Sequence, residues 1–155
     1  MSEFCIISED FKEGEEIPKK FGYKHGNTAP LIAVGNFPRK TVRTEGVALI
    51  MDDPDAMGAV GKVWVHWLMY RRNDTDRELN LFANKLGKLV KGKNDFGEIG
   101  YGGPAPPDKR HTYIFKAYAL DTALDLKEGY SKQELEDAMK DHIIAEAKLT
   151  GTYAP

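Results

Sequence analysis

Hydrophobic residues recur along this chain in patterns that predict β-strands. Gly46 to Met51 (GVALIM) is a continuous apolar run of strand length, typical of a strand covered on both faces. Lys62 to Arg71 (KVWVHWLMYR) and His111 to Leu120 (HTYIFKAYAL) alternate with the period of two that strands produce. Phe4 to Ser8 is a shorter apolar run that predicts a first strand. These four segments indicate a chain dominated by β-structure.

The period of two also predicts which side chains share a face of each strand. In the strand from Lys62, one face carries Val63, Val65, Trp67 and Met69, and the other carries Trp64, His66, Leu68 and Tyr70. Because both faces are largely apolar, we expect this strand to lie inside a sheet, with His66 among aromatic side chains. In the next strand, we expect His111 and Tyr113 to project side by side from one face.

The C-terminal segment has a different pattern, which predicts a helix. Ser131 and Glu134 form a capping box, in which each side chain satisfies a backbone amide at the helix start. A stripe at spacings of three and four follows: Leu135, Met139, His142, Ile143, Ala147 and Leu149. Gly151 is suited to end such a helix. Several strands followed by one late helix predict a mostly-β fold with a peripheral helix.

Length and composition restrict the class of protein. A chain of 155 residues predicts a single domain, residues 1–155, large enough to fold without disulfide bonds. The net charge of −2 does not favour binding to nucleic acid, and the single cysteine, Cys5, excludes internal disulfides and Cys-rich zinc sites. The N-terminus lacks signal-peptide features, and no apolar run approaches the ~18 residues of a membrane span. We therefore expect a cytoplasmic protein without a transmembrane segment.

Polar residues at strand ends and beside a stiff loop are candidates for a ligand site. Asp53 and Asp55 follow the GVALIM strand, in a turn where aspartates commonly bond backbone amides. Residues 102–107 (GGPAPP) form a stiff loop that leads to His111, because glycine permits close backbone approach and proline lowers the entropy lost on ordering. His66 alone is typical of a core histidine, but a second histidine beside this loop favours a shared site.

Two kinds of chemistry fit these residues. An aspartate and two histidines are suitable ligands for a divalent metal, but the chain lacks the short ligand pairs that mark common metal sites. Alternatively, His66, His111 and Tyr113 donate hydrogen bonds to an oxyanion. Asp53 or Asp55 then orients an imidazole, because a carboxylate facing the anion directly would repel it unless protonated. We favour the anion, so neither a metal nor a cofactor is expected.

Four motifs resemble the phosphatidylethanolamine-binding protein family, also called the Raf kinase inhibitor protein family, and most of all its bacterial and archaeal branch. They are DPDA (Asp53 to Ala56), WVHW (Trp64 to Trp67), NDFGEIGYGGPAPP (Asn94 to Pro107) and HTYIFKAYALD (His111 to Asp121). The C-terminal AMKDHIIAEAKLTGTY resembles the closing helix of that branch. The resemblance implies a large central antiparallel β-sheet packed on a smaller sheet, with peripheral helices including one near the C-terminus.

The resemblance also implies a small pocket for phosphate-like anions or phosphorylated head groups. By motif, its residues fall on Asp53, His66, Pro106, His111 and Tyr113, with Asp55, Trp64 and Gly103 at its border. Non-enzymatic binding is therefore the expected function. Family analogy adds a kinase or protease as a regulated partner and a homodimer as the assembly. The competing hypothesis is a hydrolase that uses an Asp–His pair, with or without a metal ion.

Overall fold

Strands dominate the part of the chain that the structure describes. It is a computed structural model in which residues 3–38, 43–73, 79–80 and 89–155 are described, the pair 79–80 by its backbone alone. In chain order the elements are β1 (Cys5–Ser8), a 3-10 turn (Lys19–Phe21), β2 (Ile32–Gly35), β3 (Gly46–Asp53), α1 (Ala56–Val60), β4 (Trp64–Arg72), β5 (Leu79–Asn80), β6 (Leu89–Lys91), β7 (His111–Leu120), α2 (Lys132–Met139) and β8 (Ile143–Tyr153).

These strands form two antiparallel sheets. The larger has five strands in the order β6-β4-β3-β7-β8, and the smaller has three in the order β1-β2-β5. All eight residues of β3 are buried at the centre of the large sheet, which confirms the prediction of a strand covered on both faces. The expected mostly-β architecture, with a large antiparallel sheet and few helices, is confirmed as well.

Two hydrophobic cores lie on opposite faces of the large sheet. One joins the two sheets, where Ile32 of β2 packs in the same cluster as Leu49 of β3 and Phe115 of β7. The other lies under α2, which contributes Leu135 and Met139. Full burial of each such side chain stabilises the fold by about 1.5–3 kcal/mol. The two cores together hold β3, β4 and β7 side by side, and the ends of these strands build the site described below.

A register shift in β4 changes the predicted alternation of side chains. Met51 of β3 is paired with Trp67, whereas the next residue, Asp52, is paired with Val65, so His66 has no partner across the strand. An extra residue of this kind is a β-bulge, and it reverses the alternation on one side of itself. Val65 consequently packs in the core under α2, while Trp67 lies in the core between the sheets. The prediction that Val65 and Trp67 share a face was wrong for this reason.

The predicted C-terminal helix begins as expected but ends early. Ser131 and Glu134 form the capping box, with the Glu134 amide donating to Ser131 Oγ at 3.0 Å and the Ser131 amide donating to Glu134 Oε1 at 3.3 Å. The helix ends at Met139, and Asp141 adopts a left-handed backbone conformation with φ of 67° that turns the chain away. Extending the helix to residue 150 was therefore wrong.

The segment after this turn is the edge strand β8, which runs antiparallel to β7 from Ile143 to Tyr153. Its sequence, IIAEAKLTGTY, also alternates with a period of two, and pairing with β7 decides in favour of the strand. Gly151, predicted to end a helix, is instead paired with Tyr113. A Cβ atom there would lie 2.7 Å from Ile17 and 2.8 Å from Phe11, so close packing explains this glycine.

Candidate functional site

A cavity of about 230 Å³ opens where three neighbouring strands of the large sheet begin or end. Because neighbouring strands run antiparallel, the end of β3 lies next to the starts of β4 and β7 at one end of the sheet. The polar side chains that line the cavity are Asp53, His66, His111 and Tyr113. The other lining residues are apolar or aromatic: Ala56, Ala59 and Val60 of α1, together with Trp64, Phe96, Ala105 and Pro107.

The turn between β3 and α1 fixes Asp53 at the floor of this cavity. Pro54 restricts the backbone directly after Asp53, which is only 3% exposed. Asp55 secures the same turn from outside, since its Oδ2 accepts a hydrogen bond at 2.8 Å from the Thr112 amide of β7. Asp55 is not among the residues that line the cavity. Its side chain therefore has the structural role that is common for aspartates in turns, in which the carboxylate bonds a backbone amide.

His111 is held between two carboxylates. Its Nδ1 lies 2.6 Å from Oδ2 of Asp53, and its Nε2 lies 2.7 Å from Oδ1 of Asp108. Burial lowers the pKa of His111, but the hydrogen bonds to Asp53 and Asp108, with their negative charges, raise it above its ordinary value. The hydrogen bond from His111 in turn lowers the pKa of Asp108. Because both ring nitrogens lie within hydrogen-bond distance of a carboxylate oxygen, the geometry favours the imidazolium form, in which each N–H donates to a carboxylate.

The pKa of His66 is shifted in the opposite direction to that of His111. Burial lowers its pKa, and its Nδ1 lies 2.7 Å from the Gly102 carbonyl oxygen. Because a carbonyl only accepts, Nδ1 carries the proton and Nε2 of the neutral ring is left as an acceptor. The ring packs edge-on against Tyr113 and Phe96, with centroid distances of 5.2 Å and 5.6 Å. The expectation that His66 lies among aromatic side chains is confirmed.

Three buried polar atoms on the cavity residues make no hydrogen bond of ordinary geometry with the described residues: Oδ1 of Asp53, the hydroxyl of Tyr113 and Nε1 of Trp64. The Tyr113 hydroxyl nevertheless lies close enough to the Asp53 carboxylate for a weak hydrogen bond. Burial raises the pKa of Tyr113, and the negative charge of Asp53 raises it further, so the hydroxyl keeps its proton. An unsatisfied buried polar group costs about 1–3 kcal/mol. Incompletely satisfied donors and acceptors beside one cavity therefore favour a polar ligand that bonds them.

The loop that closes the cavity is attached at several points. The buried Asn94 accepts hydrogen bonds at Oδ1 from the Phe96 and Glu98 amides and donates from Nδ2 to the Gly100 carbonyl. The Gly102 amide donates to the His66 carbonyl at 2.8 Å, which connects the loop to the bulge of β4. These bonds fix the shape of the wall before any ligand arrives.

Gly103 and Pro106, both predicted as parts of the pocket, are buried and are not among the residues that line the cavity. A Cβ atom on Gly103 would lie 2.1 Å from the Phe21 carbonyl oxygen, and the Gly103 amide donates to Oδ1 of Asn27 at 2.7 Å. The loop residues that do line the cavity are Ala105 and Pro107. Gly103 thus packs the loop against the 21–23 segment.

The structure brings together five of the predicted site residues: Asp53, Trp64, His66, His111 and Tyr113 line one cavity. Sequence reasoning missed Asp108, which contacts His111 directly, and the α1 residues of the apolar wall. A carboxylate three residues before the first residue of a strand was the available signal for Asp108, because a short loop allows it to fold back. Arg110, which directly precedes His111 in the sequence, forms an ion pair with Glu16 at 2.9 Å.

The described residues contain neither a metal-binding cluster nor a membrane-spanning helix. Across residues 3–38, 43–73 and 89–155, no group of three or more His, Cys, Asp or Glu side chains has an arrangement suited to hold a metal ion. Within the same described ranges, no helix has the length and apolar character needed to cross a bilayer.

Comparison with known proteins identifies the family. The family model for phosphatidylethanolamine-binding proteins matches residues 7–154. A UPF0098 protein of Chlamydia trachomatis is 39% identical over 150 residues, which cover 96% of this chain and 97% of the relative. A UPF0098 protein of Methanothermobacter thermautotrophicus is 38% identical over 147 residues, which cover 92% of this chain and 93% of the relative.

Solved structures of similar proteins lead to the same family. The Chlamydia trachomatis protein CT736, described as a homologue of phosphatidylethanolamine-binding protein, superposes with a TM-score of 0.84 at 37% identity, covering 99% of this chain and 98% of its own. E. coli YbcL, described as a new member of the mammalian family, superposes with a TM-score of 0.83 at 31% identity, covering 98% of each chain. Because the family model spans nearly the whole chain and these relatives cover it at more than 30% identity, the chain belongs to the phosphatidylethanolamine-binding protein family.

Proposed function

We propose that this protein is a non-enzymatic binding protein whose cavity holds a phosphate-like anion or a phosphorylated head group. The observation that carries the proposal is the contact between Asp108 and His111. A carboxylate oxygen lies 2.7 Å from Nε2 of a buried imidazolium, which is the position where an oxyanion of a ligand would bind. Asp108 therefore stands in for that ligand in the free protein.

The remaining polar atoms suit an anion that replaces Asp108. The side chain of Asp108 is 43% exposed, so it returns to water when it leaves His111. The vacated Nε2–H of His111 and the hydroxyl of Tyr113 are then two donors at one cavity. Asp53 keeps its hydrogen bond to Nδ1 and so orients the imidazolium. The roles that we propose are anion donors for His111 and Tyr113, and a positioning residue for Asp53.

The apolar wall extends the proposal to organic phosphates. Residues of α1, with Trp64 and Phe96, contribute apolar surface to the same cavity. Val60 is 52% exposed, so this apolar surface continues to the mouth. A ligand with a phosphate at the floor and a carbon chain along this wall satisfies both surfaces. Phosphorylated head groups and other phosphate esters have this composition.

NMR titration of imidazole signals tests the proposal. Inorganic phosphate and phosphoethanolamine, added separately at about pH 6, are expected to shift the ring nitrogens of His111 and His66 with saturation. His142, which bonds Asp121 at 2.8 Å and does not line the cavity, provides an internal control. Saturable shifts at His111 with none at His142 support the proposal. Absence of any shift at His111 and His66 with either compound would overturn it.

A hydrolase is the second candidate, because the Asp53–His111 contact of 2.6 Å is the geometry that orients a general base. Against it, Nε2 of His111 already bonds Asp108, and the residues that line the cavity include no serine, threonine or cysteine as a nucleophile. Turnover of generic phosphoesters by purified protein, with metal analysis, separates the two functions. Turnover that is lost in the His111→Gln variant would establish the hydrolase.

Regulation of a kinase or protease partner, assembly as a homodimer and a cytoplasmic location complete the proposal. The partner and the assembly are proposed by analogy with the family. Sedimentation analysis of the purified protein tests the homodimer, and a single monomeric species over the micromolar range would contradict it. Assays with purified kinases and proteases test the regulatory part, and no inhibition at saturating protein would contradict that.

A further inference from the structure

The presence of His66 in the cavity depends on the β-bulge in β4. After the bulge the side chains alternate regularly, with Trp67 in the core between the sheets and Leu68 in the core under α2. Continued toward the start of β4, this alternation would place His66 under α2 and Val65 on the side that carries Tyr113. The structure has the opposite arrangement, with His66 lining the cavity and Val65 in the core under α2. The bulge therefore brings an imidazole to the cavity in place of an apolar side chain.

The loop before the cavity wall, rather than a strand, bonds the outer side of this bulge. β6, which neighbours β4 on the side away from β3, pairs with residues 69–71. At Val65, Oδ2 of Asp95 accepts from the backbone amide at 2.7 Å, and the Asp95 amide donates to the carbonyl at 2.9 Å. At His66, the Gly102 amide donates to the carbonyl at 2.8 Å, and the Gly102 carbonyl lies 2.7 Å from Nδ1. Both residues of the bulge are thus held by the same loop.

We propose that Asp95 is a positioning residue for the cavity, whose carboxylate holds the bulge at Val65 and thereby places His66 against Tyr113. Asp95 is not among the residues that line the cavity, so it acts through His66 and not on a ligand. The inference rests on the proposed function only where it concerns anion binding. The placement of the His66 ring is measurable without any ligand.

The bond from Val65 to Asp95 matters because its donor is nearly out of water. Val65 is 8% exposed, and a buried amide without an acceptor is unfavourable. The Asp95 side chain supplies that acceptor at the one place where the bulge turns the amide away from β3. Without it, the bulged backbone loses its advantage over other conformations of this segment, and His66 is no longer fixed in the cavity.

Asp95 also forms an ion pair, which has to be separated from its bond to the bulge. Its Oδ2 lies 3.0 Å from Nζ of Lys62, and the Lys62 side chain is 54% exposed. An exposed ion pair of this kind contributes little to stability. Asp95→Asn keeps an oxygen acceptor for Val65 and removes the charge, whereas Asp95→Ala removes both. Lys62→Met removes the ion pair and keeps the carboxylate, so it is the matched control.

NMR spectra of the ligand-free protein test the placement of His66. The ring packs edge-on against Phe96 and Tyr113, with centroid distances of 5.6 Å and 5.2 Å, so nuclear Overhauser effects (NOEs) between these rings report it. We expect these NOEs to be lost in Asp95→Ala and retained in Asp95→Asn and Lys62→Met. Isothermal titration with inorganic phosphate at about pH 6 should show about tenfold weaker binding for Asp95→Ala. The other two variants should stay within about twofold of wild type.

The pattern across the variants decides the inference. A folded Asp95→Ala protein, checked by circular dichroism, that keeps both the His66–Tyr113 NOEs and the wild-type affinity would overturn it. Equal losses in Asp95→Asn and Asp95→Ala would also overturn it, because the charge and not the acceptor would then be responsible. If wild type does not bind phosphate, the proposed function fails, and the NOEs of the three variants still support or overturn the role of Asp95.

A fourth variant covers the case in which Asp95→Ala does not fold. Asp95→Glu keeps the charge but moves the acceptor by one methylene group, so the bond to the Val65 amide loses its geometry. We expect weaker His66–Tyr113 NOEs in Asp95→Glu than in Asp95→Asn. The reverse order would contradict the role assigned to Asp95.

Discussion

The carboxylate of Asp108 and the imidazole of His111 are joined at 2.7 Å, although Asp108 lies on an exposed loop and His111 is fully buried. The two residues are three apart in sequence, and the short 104–110 loop makes the contact possible. The other ring nitrogen of His111 is held by Asp53 at 2.6 Å. Of the two carboxylates, Asp108 is the exposed one, so it is the partner that an external anion can replace.

Replacing Asp108 should strengthen anion binding. In Asp108→Asn the internal carboxylate that competes for Nε2 of His111 is lost, so an added anion no longer displaces a charged partner. We expect the affinity for inorganic phosphate at pH 6 to rise by roughly 1.4- to fivefold, the range set by one exposed ion pair. Isothermal titration measures the change. Lys109→Ala tests a neighbouring charge on the same loop, and weaker binding in Asp108→Asn would contradict the role assigned to Asp108.

The stability of the fold should depend on pH through His111. Burial lowers the pKa of His111, but the hydrogen bonds to Asp53 and Asp108 raise it overall. Because the pKa of His111 is higher in the folded state than in the unfolded state, the stabilisation that His111 provides is fully present below the unfolded pKa of about 6.5. It is lost as pH rises through the folded pKa. Urea unfolding between pH 6 and 9 should therefore show a decline in the free energy of unfolding that is smaller in His111→Gln.

The comparison between wild type and variant removes the opposing effect of His66. Burial lowers the pKa of His66, so its contribution is present above about pH 6.5 and is lost as pH falls toward its folded pKa. That effect is common to wild type and His111→Gln. If wild type and His111→Gln lose stability equally between pH 6 and 9, the assignment of a raised pKa to His111 is wrong.

Gly103 should be intolerant of a side chain for a reason of packing. A Cβ atom there would lie 2.1 Å from the Phe21 carbonyl oxygen and 2.8 Å from the Tyr23 amide nitrogen, and backbone atoms cannot rotate away. We expect Gly103→Ala to lower the free energy of unfolding by about 1–3 kcal/mol. Gly58 of α1 is the matched control, because a Cβ there meets nothing within 4 Å.

Gly58→Ala should leave the stability unchanged or raise it by about 0.5–1 kcal/mol, since alanine favours the helix. Denaturant unfolding of the two variants measures both changes. Equal stability of Gly103→Ala and wild type would show that the loop can move away from the 21–23 segment.

The sequence predicted the strands that lie inside the large sheet because burial and alternation leave a direct trace there. GVALIM is buried along its whole length, and the alternation in β7 places Tyr113 and Phe115 in the same core. The bulge at His66 was not predictable, since it adds one residue without changing the composition of the strand. The C-terminal stripe fitted both periods, and the pairing of Ile143–Tyr153 with β7, a long-range contact, decided between them.

The candidate site was predictable where motif and strand geometry agreed. Asp53 ends β3 and His111 begins β7, so antiparallel pairing brings them together. Gly103 belongs to the same loop motif, but it is packed against residues 21–23 and bonded to Asn27 rather than lining the cavity. Those contacts span about eighty positions of sequence and leave no local signal.

The most direct test of the account is a crystal structure of the protein soaked with methyl phosphate near pH 5.5. The account predicts density for the phosphate at Nε2 of His111, with the Asp108 side chain displaced into solvent and the Asp53–Nδ1 contact retained. Density for Asp108 still on Nε2, with the cavity empty at saturating ligand, would contradict it.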